Sequence, residues 1–157
     1  HTMVPSPDPA IFHPTVWKLV RMVPFGTVST YGQIAAMISP PEHIPEADFK
    51  RLAPKWVGEA LNAVSFKDID GQTVVPGVPW WRIINSKGGI SMPAGSTAAR
   101  EQRNRLASED VTFDVRGLVD LNVFGWNGPD DNWLNDNGFL KPPPLSKPDA
   151  PSQLTLL

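Results

Sequence analysis

Val78-Pro79-Trp80-Trp81-Arg82-Ile83-Ile84-Asn85-Ser86 is the stretch that decides how this chain is read. Two adjacent tryptophans precede a cation, a pair of β-branched residues and Asn-Ser. Ile83-Ile84 leads toward a strand, and Ser86-Lys87-Gly88-Gly89 has the make-up of a tight turn. The spacing therefore predicts a hairpin over 84–91. Indole carries one N–H donor, no basic nitrogen and no usable nucleophile. The stretch offers aromatic surface and a guanidinium rather than a reactive group. Taken alone, a Trp-Trp pair reads as ordinary core, so its neighbours must say otherwise.

Upstream, Phe12, Val16, Trp17, Leu19, Val20 and Val23 recur at helical spacing. They predict a helix over 14–23, with Pro14 in its first turn. Pro24-Phe25-Gly26 breaks it. Ser29 or Thr30 can cap a helix over 31–38 that has Ile34 and Met37 on one face. Pro40, Pro41 and Pro45 open a loop running to about Leu52. Pro54 then reads as the start of a helix over 54–64, with Val57, Ala60, Leu61 and Val64 inward. Residues 67–77 read as an irregular connection and 97–108 as a further helix. Two helices joined by a loop suggest a helix-turn-helix, and the hairpin after them suggests its winged form. Many helix pairs bind no DNA, so this pattern is weak by itself.

Composition sets the outer limits. The chain has 157 residues, 41% of them apolar, which suits one packed domain. There is no cysteine, which excludes disulfides, thiolate metal sites and a cysteine nucleophile. Of the histidines His1, His13 and His43, none pairs with another at ligand spacing, so neither a metal nor a cofactor is expected. No apolar run reaches the roughly 18 residues of a membrane span. No signal-peptide layout is read at the N-terminus. The expectation is a soluble intracellular monomer, nuclear if the source is eukaryotic. Net charge is −2, yet residues 11–111 hold eleven Lys/Arg against nine Asp/Glu. A slightly basic domain with an acidic tail permits nucleic acid without demanding it. Residues 1–10 read as a tag scar (His1-Thr2-Met3) and an extended lead-in. Residues 11–111 read as the domain, 112–140 as an irregular extension packed on it, and 141–157 as a proline-rich disordered tail.

The opening stretch resembles the active-site segment of the O6-alkylguanine-DNA alkyltransferases, which reads Pro-Cys-His-Arg and then two β-branched residues. It resembles more the alkyltransferase-like branch of that family, with Trp in the cysteine position and an Ile-Asn-Ser run like Ile84-Asn85-Ser86. Three other segments follow in the family's order. Val23-Pro24-Phe25-Gly26-Thr27-Val28-Ser29-Thr30-Tyr31-Gly32-Gln33-Ile34-Ala35 is similar to its Pro-x-Gly-x-Val-(Ser/Thr)-Tyr stretch. Val57-Gly58-Glu59-Ala60-Leu61 is similar to its recognition-helix motif. Glu101-Gln102-Arg103, with Arg105-Leu106, matches the helix that closes the domain. The resemblance runs from about Phe12 to Val111. It implies a mainly α, winged helix-turn-helix-like DNA-binding domain with a small hairpin and an irregular C-terminal extension.

The resemblance also implies roles. Trp80 stands where the family's enzymes hold the alkyl-accepting thiol, and Trp81 where they hold the activating histidine. Trp80 would wall the pocket for an extruded base. Trp81, where both branches usually keep histidine, puts the pocket's shape and selectivity in question. Tyr31 matches the tyrosine set against the phosphate beside the flipped nucleotide. Lys55 matches the finger arginine that fills the vacated stack, without the planar fork of a guanidinium. Its neighbour Trp56 is a second candidate for insertion. Arg82 reads as a structural support behind the pocket. Ser91, Gly95 and Ser96 fall in the loop that closes over the base. Lys87, Arg100 and Arg103 are phosphate contacts or solvated charges.

The function implied is non-enzymatic recognition of O6-alkylguanine in duplex DNA by minor-groove contact and base flipping. Such a protein would mark the lesion for other factors, with nucleotide-excision repair proteins as partners. The alternative is a DNA or protein interaction module that kept the fold and lost lesion selectivity. A working enzyme would need a nucleophile outside the motif.

Overall fold

The computed structural model describes residues 5–72 and 75–146. The expectations for the tag scar and for tail residues 147–157 lie outside the described residues.

Helix α1, Pro9–Val20, starts at Asp8, whose Oδ1 accepts from the Ala10 N–H at 3.0 Å. It buries Phe12, Val16, Leu19 and Val20. It begins five residues before the 14–23 expected, and Pro14 lies inside it. Helix α2, Tyr31–Ala36, is capped by Thr30, whose Oγ1 accepts from the Gln33 N–H at 3.0 Å. Helix α3, Glu46–Ile69, is much longer than the expected 54–64. Glu46 and Asp48 suit its positive N-terminal end, and Pro54 is again internal.

Both corrections have one cause. The proline that marks a helix start in the sequence is, in each case, an interruption that packing overrides. Pro54 costs about 3 kcal/mol inside a helix. Burying Phe49, one turn and a half earlier, returns about 1.5–3 kcal/mol. Phe49 also meets Phe12 and Trp56 at ring separations of 6.3 and 6.0 Å, and such pairs add about 0.5–1.5 kcal/mol each.

Strand β1, Ser29–Thr30, pairs in parallel with β2, Ile83–Ile84, with Ser29 opposite Ile83 and Thr30 opposite Ile84. The expected hairpin over 84–91 is thus replaced. Its turn exists: the Asn85 N–H donates to the Gly89 carbonyl at 2.9 Å, and Asn85 Oδ1 accepts from the Lys87 and Gly89 N–H groups. The chain does not then return alongside β2. All four strand residues are buried, as fits a parallel pair covered on both faces. The Gly88 carbonyl instead accepts from the Val119 N–H at 2.8 Å. Gly88 has φ +95°, and a Cβ there would strike the Val119 backbone, so only glycine fits.

Helix α4, Thr97–Ser108, agrees with its expected bounds. The extension is more ordered than expected, with helices α5, Leu121–Phe124, and α6, Asp131–Asn137. Its Trp126 and Leu134 belong to the main apolar core with α1, α2 and α3. Residues 141–146 of the expected disordered tail are described and held: Leu145 donates its N–H to Asn127 Oδ1 at 3.0 Å. Buried Gln33, in α2, ties this segment down, its Nε2 donating to the Trp126 carbonyl at 2.7 Å and the Pro143 carbonyl at 3.0 Å. A second apolar cluster joins Val28, Ile84, Leu106, Val111 and Val119, and Trp81 packs against both clusters. Among the described residues, no helix is long and apolar enough to cross a membrane.

Candidate nucleic-acid interface

Helices α2 and α3 pack together as the helix-turn-helix. A cleft of about 400 Å³ opens beside them, lined by Tyr31 of α2, by Lys55, Asn62 and Phe66 of α3, and by Ser91 and Met92 of the loop after β2. Tyr31 opens α2 because Thr30 caps it, and its ring lies against Gly58. Burial pushes the Tyr31 phenol up; the Ser91 side chain lowers it less, so the hydroxyl stays protonated well past neutral pH. That makes it a donor suited to a phosphate oxygen. Lys55 is exposed at the same opening. The structure therefore brings together Tyr31, Lys55 and Ser91.

It places Trp80, Trp81 and Arg82 elsewhere. They line a second cleft of about 430 Å³ with Arg21, Val64 and Arg105 among its other walls. Residues 62 and 66 of α3 face the first cleft and residues 64 and 68 the second. At 100° per residue these pairs lie on opposite sides of the helix. Trp80 is only 2% exposed. Its Nε1 donates to Asp68 Oδ2 at 2.8 Å, and Arg105 also bonds Asp68 while lying over both indoles at 5.2 and 4.9 Å. Trp81 stands edge-on to Trp80. Its Nε1 donates to Glu109 Oε2 at 2.7 Å. Arg82 donates to both oxygens of Glu109 and, through Nη1, to the Val23 carbonyl. Glu109 also accepts from the Gly26 N–H at 3.0 Å. Burial pushes the Glu109 carboxyl up, but the bonds from Arg82, Gly26 and Trp81 outweigh it and hold the group below its ordinary value.

The remaining candidates fall in neither cleft. Trp56 is buried in the core against Phe12 and Phe49, so its ring is unavailable for insertion. The Ser96 hydroxyl caps α4, accepting from the Ala99 N–H at 3.1 Å. Gly95, with φ +80°, lines a shallow hollow with Arg100 and Arg103 that shares Met92 with the Tyr31 cleft. Among the described residues, no three His, Cys, Asp or Glu side chains converge to hold a metal.

Residues 11–111 match the family described as 6-O-methylguanine DNA methyltransferase, DNA binding domain. The chain belongs to this family. Among the relatives of this chain is the Schizosaccharomyces pombe alkyltransferase-like protein 1, 34% identical over 78% of this chain and 94% of that one. Another is the Escherichia coli DNA base-flipping protein, 30% identical over 74% of each chain. A crystal structure of S. pombe Atl1 with damaged DNA containing O6-carboxymethylguanine aligns at a TM-score of 0.46 and 29% identity, over 69% of this chain and 85% of that one.

The family motifs assign no role to three residues that brace the fold around both clefts: Glu109, Asp68 and Gln33. Glu109 follows α4 and looks like any acidic residue at a helix end. Asp68 lies in what read as an irregular connection. Gln33 sits one turn into a short helix, and only its burial reveals its role. No local sequence signal marks these positions, because each acts across at least two elements.

Proposed function

We propose that this chain binds duplex DNA carrying O6-alkylguanine, receives the extruded nucleotide in the Tyr31 cleft, and leaves the alkyl group in place as a mark for other repair proteins. The observation that carries this is the convergence of Tyr31, Lys55 and Ser91 on one cleft beside the helix-turn-helix. Family membership and the base-flipping name of a relative support it. Extrusion costs a few kcal/mol, less for a damaged or mispaired base. A neutral Tyr31 hydroxyl and the Lys55 ammonium offer contacts to the displaced backbone that offset part of that cost.

The resemblance of residues 78–86 to the family's active-site segment implies that Trp80 stands at the thiol position. With no cysteine in the chain, no thiolate can accept the alkyl group. The indole at Trp80 is tied to Asp68 behind the cleft rather than exposed within it. The exchange of histidine for Trp81 likewise falls on the far side of α3. It leaves the lining of the receiving cleft untouched, which speaks against loss of selectivity through that position.

Titration of matched duplexes, one with O6-methylguanine and one with guanine, tests the reading. Tighter binding to the lesion, with the intact protein mass unchanged afterwards, is the expected result. Equal affinity would remove lesion recognition. A stoichiometric mass increase by one alkyl group would overturn the non-enzymatic assignment.

A further inference from the structure

The receiving cleft needs an aromatic face, because a purine taken out of the stack loses two neighbours and regains one on a ring. Trp80 does not supply that face: it is buried and its indole is committed to Asp68. Tyr31 is partly buried against Gly58, with its hydroxyl beside Ser91. Phe66 is different. It is 52% exposed and lines the same cleft.

Its position follows from the unexpected length of α3. Lys55, Gly58, Asn62 and Phe66 are spaced three, four and four residues apart, so they form one stripe along the helix. Had α3 ended at Val64, Phe66 would have no fixed place in the cleft. Because the helix continues to Ile69, the ring is held about 16 Å along the axis from Lys55. One end of the stripe is cationic, with Lys55, while its far end presents an exposed ring in the same cleft as Met92 and Pro93. A lone exposed phenylalanine means little on a protein surface. One that completes the apolar wall of a cleft beside a helix-turn-helix is placed to be covered by a ligand.

We propose that Phe66 is the stacking platform for the extruded base, the task that the motif alone would have given to Trp80. This inference rests on the proposed function of the same cleft. The test compares wild type, Phe66→Ala, Phe66→Leu and Phe66→Trp, each checked for folding by its unfolding midpoint, on O6-methylguanine and plain guanine duplexes. Phe66→Ala is expected to lose roughly tenfold in affinity for the lesion duplex and to bind the plain duplex as wild type does. Phe66→Leu should lose nearly as much, and Phe66→Trp should retain the preference. A wild-type preference kept in full by Phe66→Ala or Phe66→Leu would overturn the stacking role alone. A wild type without any preference would overturn both the role and the function on which it rests.

Discussion

The two clefts on either side of α3 differ in what their side chains are already doing. Around Trp80 and Trp81, the described indole N–H groups, the Arg82 guanidinium and both oxygens of Glu109 have partners within the protein. Around Tyr31, by contrast, Lys55 and Ser91 are exposed and Phe66 presents half its surface. Groups that are fully bonded hold a fold together; groups left open to solvent are available to a ligand. The segment that is easiest to recognise in the sequence is therefore the braced side. The side available for DNA is assembled from residues that individually look ordinary.

Removing Glu109 should break this contrast most severely. Glu109→Ala leaves the half-buried Arg82 without its carboxylate, and loss of one partner costs up to about 3–5 kcal/mol when a pair is fully buried. Urea unfolding should show this as a lowered midpoint, and a change under about 1 kcal/mol would mean that the bracing lies elsewhere. The same residue makes a pH prediction. Its folded-state value is lowered, so its contribution is complete above the ordinary carboxylate value of 4.5 and is lost as the pH falls through the folded value. Stability measured from pH 6 down to pH 3 should fall more steeply for wild type than for Glu109→Gln. Parallel curves would assign the acid loss to another carboxylate.

On the open side the effects are smaller and appear in binding. Tyr31→Phe should cost about 0.5–1.5 kcal/mol of affinity for the lesion duplex, the worth of one hydrogen bond, and less for the plain duplex. Its unfolding midpoint should stay close to wild type, and a large drop would reassign the hydroxyl to the fold. Lys55→Arg is the mildest change. A planar guanidinium stacks where an ammonium cannot, so lesion affinity should tighten by about 0.5–1 kcal/mol. No gain would show that Lys55 touches phosphate without entering the vacated stack.

The sequence made some elements legible and hid others for physical reasons. Helix α4 is marked by the Ser96 cap and a run of strong helix formers, signals that are local. The family segments are legible because their residue types are constrained one by one. Helices α1 and α3 start earlier than the sequence implies because proline is a strong local signal that distant packing overrides. At α3 the aromatic group of Phe12, Phe49 and Trp56 supplies that packing, and it forms only once the chain is folded. The hairpin was misjudged because Ile83-Ile84 pairs with residues more than fifty positions away. Tyr31, Lys55 and Ser91 could be named in advance, but not that Phe66 would join them, since its place depends on where α3 ends.

Gln33 gives the C-terminal extension a mechanical meaning. Its buried side-chain amide holds the carbonyls of Trp126 and Pro143, and it lies two residues from Tyr31 on the same short helix. The extension is thus a lever whose fulcrum is the helix that opens the cleft. A chain cut before Pro143 is more than a shorter chain: it leaves a sealed-in donor missing one of its acceptors, two residues from Tyr31 of the cleft.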